Sequence, residues 1–229
     1  MTDIKKYLID FAEGRVSVPE FIEYSKKHPE VLDFLTDIAD PEFKTYIVHK
    51  KIGDNGWPQY ISEELPFDAK LSMDEELNRP GHTTLGKYLN LHGFFSKVLV
   101  TAFPDDNITI DTTLDDKFTF MLNACPEYIE GVEVDPVIEK VLENIPQNLS
   151  RTKRIKLFRE QIRQVFHVEG NKYPRWIQGG EWPLGKDGIP MKYVSQKRKK
   201  GKAYETMLFT EFLFEDVKTG EQRIVEQFT

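Results

Sequence analysis

The stretch YPRWIQGGEWPLGKDGIPMKYVSQ, Tyr173–Gln196, crowds two tryptophans, three prolines and four glycines together. Aromatic rings favour burial, whereas Gly and Pro interrupt regular structure. The hydrophobic period changes across this stretch, and that change decides the fold. Downstream, MKYVSQ, TMLFTEFLFED and EQRIVEQF alternate and read as three strands. DVKTGE joins the last two as a short turn with Gly220 available for a positive φ, and KRKKGKAYE joins the first two.

Upstream, the helical period dominates. IKKYLIDFAEG places Ile4, Tyr7, Leu8 and Phe11 on one face, with Gly14 as a stop. SVPEFIEYSKK offers Ser17 as N-cap and Glu20 three residues on, a capping box. PEVLDFLTDIAD follows, so three short helices form an N-terminal cluster. TYIVHKKI, Thr45–Ile52, is β-branched and aromatic and reads as a strand. Turn chemistry at Asp54, Asn55 and Gly56 then suggests a hairpin or an exposed loop. A long helix enters through Thr83 or Thr84, and TTLDDKFTFMLNAC forms another. DPVIEKVLENI opens with Asp135 as N-cap, and SRTKRIKLFREQIRQVFHVEG is the last helix. The reading is an α+β fold: a mainly helical N-terminal three quarters, residues 1–169, then a C-terminal antiparallel β region, 170–229.

The chain has 229 residues, one cysteine and a net charge of −7. It shows no membrane-length apolar run and no signal-like start, so a cytoplasmic protein without disulfides is expected. Charge is unevenly spread: residues 1–150 hold 14 Lys+Arg against 28 Asp+Glu, and residues 151–229 hold 17 against 10. The basic share falls on Arg151, Lys153, Arg154, Lys156, Arg159 and Arg163 of the last helix, and on a loop, 197–202, holding Lys197, Arg198, Lys199, Lys200 and Lys202. Such charges suit phosphates, and they equally suit solvated faces that blunt a sheet edge.

Catalytic motifs do not emerge. Cys125 sits at a helix C-terminus among acids, the wrong place for a reactive thiolate, and reads as an inert, buried small residue. The five histidines lack metal-ligand spacing. Adjacent acids such as Glu75 and Glu76 diverge on a helix and read as solvated. The pattern assigns no catalytic residue, metal or cofactor. An unrecognised hydrolase or transferase stands as one alternative.

The pattern formed by Trp182, Pro183, Gly188, Pro190, Met191, Val194 and Gln196 resembles bacterial cytosolic YwqG-like proteins and the immunity-type proteins of polymorphic toxin systems. The resemblance covers about the last quarter of the chain. It implies a cytoplasmic protein that binds a protein partner, a toxin among the candidates, and it carries no catalytic residues. Candidate partner-binding residues are Trp176, Gln178, Trp182, Lys197, Arg198, Lys199 and Lys200. Of the two tryptophans, Trp182 is expected to cap the sheet, and Trp176 to stand near solvent on a mobile arm. Nucleic acid bound by the basic helix 151–163 and the loop is the competing partner; a membrane is not expected.

Overall fold

The computed structural model describes residues 2–52, 58–200 and 208–228. Eight helices and five strands lie within them: α1 Thr2–Ala12, α2 Val18–Lys27, α3 Glu30–Ile38, β1 Lys44–Ile52, β2 Pro58–Pro66, α4 Ala69–Asn78, α5 Thr84–Ala102, α6 Thr113–Ala124, α7 Asp135–Glu143, α8 Arg151–Val165, β3 Lys192–Lys200, β4 Leu208–Glu215 and β5 Gln222–Phe228. The fold is α+β, with eight α-helices, a two-stranded antiparallel sheet and a three-stranded antiparallel sheet at the C-terminus among the described residues. The chain divides into two compact units, Met1–Phe118 and Thr119–Thr229, with the division inside α6. Each unit therefore carries helices and its own sheet, whereas the change of hydrophobic period falls at Gly170. No helix among the described residues is long and apolar enough to cross a membrane.

In the first unit the capping box of α2 is formed. The Ser17 hydroxyl accepts from the Glu20 amide, and the Glu20 carboxylate accepts from the Ser17 amide. The apolar stripes of α1, α2, α3 and α5 converge on a core holding Leu8, Phe11, Phe21, Leu35, Phe95 and Leu99. Phe11 and Phe21 stack at 4.2 Å between centroids, and the buried His92 ring donates through Nε2 to the Phe11 carbonyl at 3.1 Å. A buried imidazole needs such a partner, which makes His92 a core histidine. α4 has no counterpart in the sequence reading, whereas β2 completes the hairpin that the turn chemistry after β1 suggests. β2 pairs along its whole length with β1, from Lys44↔Pro66 to Ile52↔Pro58. The turn residues Asp54, Asn55 and Gly56 lie outside the described residues. α4 is capped by Asp68, whose carboxylate accepts from the Leu71 amide at 2.8 Å.

In the second unit the sheet order is β3-β4-β5. Alternation along β4 buries Thr210, Phe212 and Phe214 on one face, joined by Tyr193 of β3 and by Val225 and Gln227 of β5. The β4–β5 turn uses Gly220 at φ 72°, and the Asp216 carboxylate accepts from the Lys218 and Thr219 amides. α8 presents Phe158 and Ile162 inward, with Phe166 just beyond its end.

Two local expectations are corrected. Asp135 is not the N-cap of α7; the cap position belongs to Val134, and Asp135 is the first helical residue. The basic run Lys197–Lys200 is not a loop. It is the second half of β3, paired Lys197↔Glu211, Arg198↔Thr210, Lys199↔Phe209 and Lys200↔Leu208. The rest of the presumed loop, including Lys202, lies outside the described residues.

Asp135 is half-buried, and burial, then the neighbouring Glu139, pushes its carboxyl up to about 6. A raised carboxyl favours the folded state fully below the unfolded value, near 3.8. That advantage is lost as pH rises through the folded value. Partial solvation and the helix N-terminus both temper the cost. Asp135→Asn is therefore expected to stabilise the protein at pH 8, by about 1–2 kcal/mol, and to give no gain at pH 4. Urea melts at the two pH values measure this.

Candidate functional site

The Tyr173–Gln196 stretch lies across the aromatic face of the C-terminal sheet. Trp182 is 1% exposed, with its ring edge-on to Phe166 at 5.2 Å and Phe214 at 5.4 Å. Its indole N–H donates to the Met191 carbonyl at 2.9 Å, so the ring is buried without an orphaned donor. This is the capping role expected of it.

Trp176 does not stand in solvent. It is half-buried, packed on Phe212 at 4.7 Å and nearly parallel to Phe214 at 5.9 Å, and its indole N–H donates to the Tyr128 carbonyl at 3.0 Å. The arm that carries it is fastened. The Gln227 side chain is 1% exposed, and its Oε1 accepts from the Ile177 amide at 2.9 Å and the Gln178 amide at 3.2 Å. Its Nε2 donates to the Gly179 carbonyl at 2.8 Å. One amide side chain thus satisfies three backbone groups of the loop.

Gln196 does similar work at the other end, accepting from the Arg175 amide at 2.9 Å and the Tyr193 hydroxyl at 3.1 Å. The Glu130 carboxylate accepts from the Gly180 amide at 2.8 Å. Of the paired glycines, only Gly180 is sterically required: a Cβ there would lie 2.4 Å from the Glu130 Cβ, while none of this crowding exists at Gly179.

Gln178 is exposed but donates through Nε2 to the Phe228 carbonyl at 2.9 Å, covering the β5 edge. The structure therefore brings Trp176, Gln178 and Trp182 together on one face and one edge of the sheet. Lys197, Arg198, Lys199 and Lys200 lie on its opposite edge strand, β3. Lys199 pairs with Glu211 across the ladder. Lys197 and Arg198 are exposed and have no ion-pair or hydrogen-bonding side-chain partner among the described residues.

Half of the basic helix is committed internally. The Arg154 guanidinium sits over the Phe120 ring at 4.5 Å, Arg159 donates to the Ala124 carbonyl at 2.9 Å, and Arg163 donates to the Tyr128 hydroxyl at 3.1 Å. Three of the six cations of this helix thus brace the fold.

The residues missed from sequence are Gln227 and Glu130. Gln227 has a legible signal, since it is a polar residue at an inward position of β5, in step with Val225. Glu130 has none, because its partner lies 50 positions away.

Elsewhere, a cleft of about 360 Å³ in the first unit is lined by β1, α4 and α5, including Tyr46, Glu76, Arg79 and Phe94. Glu75 and Glu76 diverge as helical neighbours must: Glu75 accepts from the Val48 amide, and Glu76 accepts from Asn90 at 2.9 Å. Glu76 is not solvated as expected, however. It is buried and further paired with Arg79 and His82. Its carboxylate is answered by groups of the protein itself, Asn90, Arg79 and His82.

Cys125 lies just past α6, with Sγ 3.8 Å from the Ile129 carbonyl. Burial, then Asp135 and Glu130, push its thiol up to about 12, against the opposing pull of Arg159. Labelling by a thiol reagent at pH 8 is expected to be far slower in the native protein than in urea. Comparable rates would show a thiolate that this environment does not support.

No family model matches the chain, and comparison with curated proteins and with solved structures likewise finds no match.

Proposed function

We propose that the protein is a cytoplasmic binding protein of the immunity or regulatory kind, acting on another protein through its C-terminal unit. The observation that carries this reading is the contrast between the two edges of the sheet. The chain's own Trp loop covers the aromatic face, with Gln227 holding it, and Gln178 bonds the Phe228 carbonyl at the end of β5. The β3 edge carries exposed, unpaired Lys197 and Arg198. Exposed charge on an interface rim steers association and selects partners. The sequence resemblance to immunity-type proteins supports the same class of function.

The test is co-expression with the products of the genes adjacent to its own. A toxic neighbour whose toxicity is relieved by this protein, with a stoichiometric complex on gel filtration, supports the reading. Relief of toxicity without any complex contradicts it.

Nucleic acid is the second reading, favoured by the exposed Arg151 and Lys153 on α8. It is weakened by the internal commitments of Arg154, Arg159 and Arg163. Retention of DNA or RNA at physiological salt, falling steeply as salt rises, would favour it.

A further inference from the structure

We infer that the outer edge of β3, from Ser195 to Lys200, is a strand-addition site for an acidic extended segment of a partner protein. The inference rests on the protein-binding reading and gives it a surface and a chemistry.

β3 is an edge strand, hydrogen-bonded to β4 on one side only. In an antiparallel ladder alternate residues turn their N–H and C=O groups away from the partner strand. Among the described residues, those outward groups make no backbone hydrogen bond from Tyr193 onward. The register irregularity between Tyr193 and Ser195 ends the regular run at one side, so the usable template begins at Ser195. The other edge of the same sheet is not equivalent, because the Phe228 carbonyl on β5 is already taken by Gln178.

The side chains select what can pair there. Lys197 and Lys199 point to one face and Arg198 to the other, as alternation requires. Arg175 is held beside Gln196 by its own amide and is exposed. Cations thus flank the edge on both faces, and only Lys199 has an acidic partner, Glu211. Lysines on an edge discourage pairing with a like strand. The same lysines favour a strand carrying Asp or Glu at alternate positions, since opposite charges across a ladder attract and like charges repel. Main-chain bonds would then supply affinity and the charges specificity.

A second copy of this chain is the rival occupant. Its β2 strand is exposed and carries Glu63 and Glu64. It is disfavoured by Pro58 and Pro66 at its two ends, which cannot donate to a ladder.

The test uses a fluorescent peptide of about ten residues alternating Glu with Val and Thr, added to the full chain. A second peptide of the same sequence carries N-methyl groups on alternate amides. It keeps the charge and loses the backbone donors. The expected result is saturable binding of the first peptide, at least about tenfold weaker binding by the Lys197→Glu/Arg198→Glu variant, and none by the methylated peptide. Hydrogen exchange at Ser195–Lys200 slows on binding. Because both substituted residues are exposed, an unchanged melting temperature verifies that the variant is folded.

Equal binding of both peptides overturns the inference by reducing the edge to a patch of charge. Tighter binding of a thymidine oligonucleotide, or self-association that the peptide does not displace, overturns it in favour of the other occupants. The partner reading fails separately. A complex with a neighbouring gene product that survives the charge reversal keeps that reading and removes this edge from it.

Discussion

Trp182→Ala is expected to cost the C-terminal unit about 3–5 kcal/mol, the range for deleting a fully buried large aromatic. The ring touches Phe166 beyond α8 and Phe214 on β4, so it ties a helix end to the sheet, and its indole donor is lost with it. For a chain of this size about 3 °C of melting temperature follows each kcal/mol, so a fall of about 10–15 °C is expected. Trp176→Ala is expected to cost about 2–3 kcal/mol, because its ring is half-buried against Phe212 and Phe214. Thermal melts and acrylamide quenching of the two single variants compare them. A Trp176 variant as stable as the unaltered protein would restore the mobile arm.

Gln227→Leu is the second large effect. It keeps the side-chain bulk and leaves the Ile177 and Gln178 amides and the Gly179 carbonyl without their partner. Three part-buried backbone bonds lost together make this cost about 2–3 kcal/mol, above the ordinary surface substitution. Gln178→Ala is the control. It removes one exposed bond to the Phe228 carbonyl and is expected to change stability by less than about 1 kcal/mol. Urea denaturation ranks the pair, and similar values for the two would remove Gln227 from its place as the fastening of the loop.

What the sequence made legible follows from how local each signal is. The capping box at Ser17 and Glu20, the turn at Gly220 and the alternation of Phe212 and Phe214 are each written within a few residues, and each was readable. α4 escaped because its buried positions are Ala69, Met73 and Glu76, so one third of its inner face is a charged residue. Its answering groups, Asn90 and His82, come from further along the chain. β2 is legible only as one arm of a possible hairpin, because ISEEL carries no apolar alternation and its strand character comes from pairing with β1. The basic run read as a loop for a similar reason. A strand at a sheet edge can be charged on both faces, and the burial that reveals period 2 is then missing. Trp176 was misplaced because the residue that pins its arm, Gln227, lies 50 positions downstream of Ile177.

The Trp loop is fastened to the sheet, while the β3 edge is free. Amide hydrogen exchange of the unliganded protein, followed residue by residue, tests it most directly. The amides of Ile177, Gly180 and Trp182 donate to the Gln227 side chain, the Glu130 carboxylate and the Glu130 carbonyl. They are expected to exchange as slowly as the paired amides of β4, while alternate amides of Ser195–Lys200 exchange at rates near those of an open strand. Fast exchange throughout 176–182, with uniform protection of Ser195–Lys200, would contradict the account.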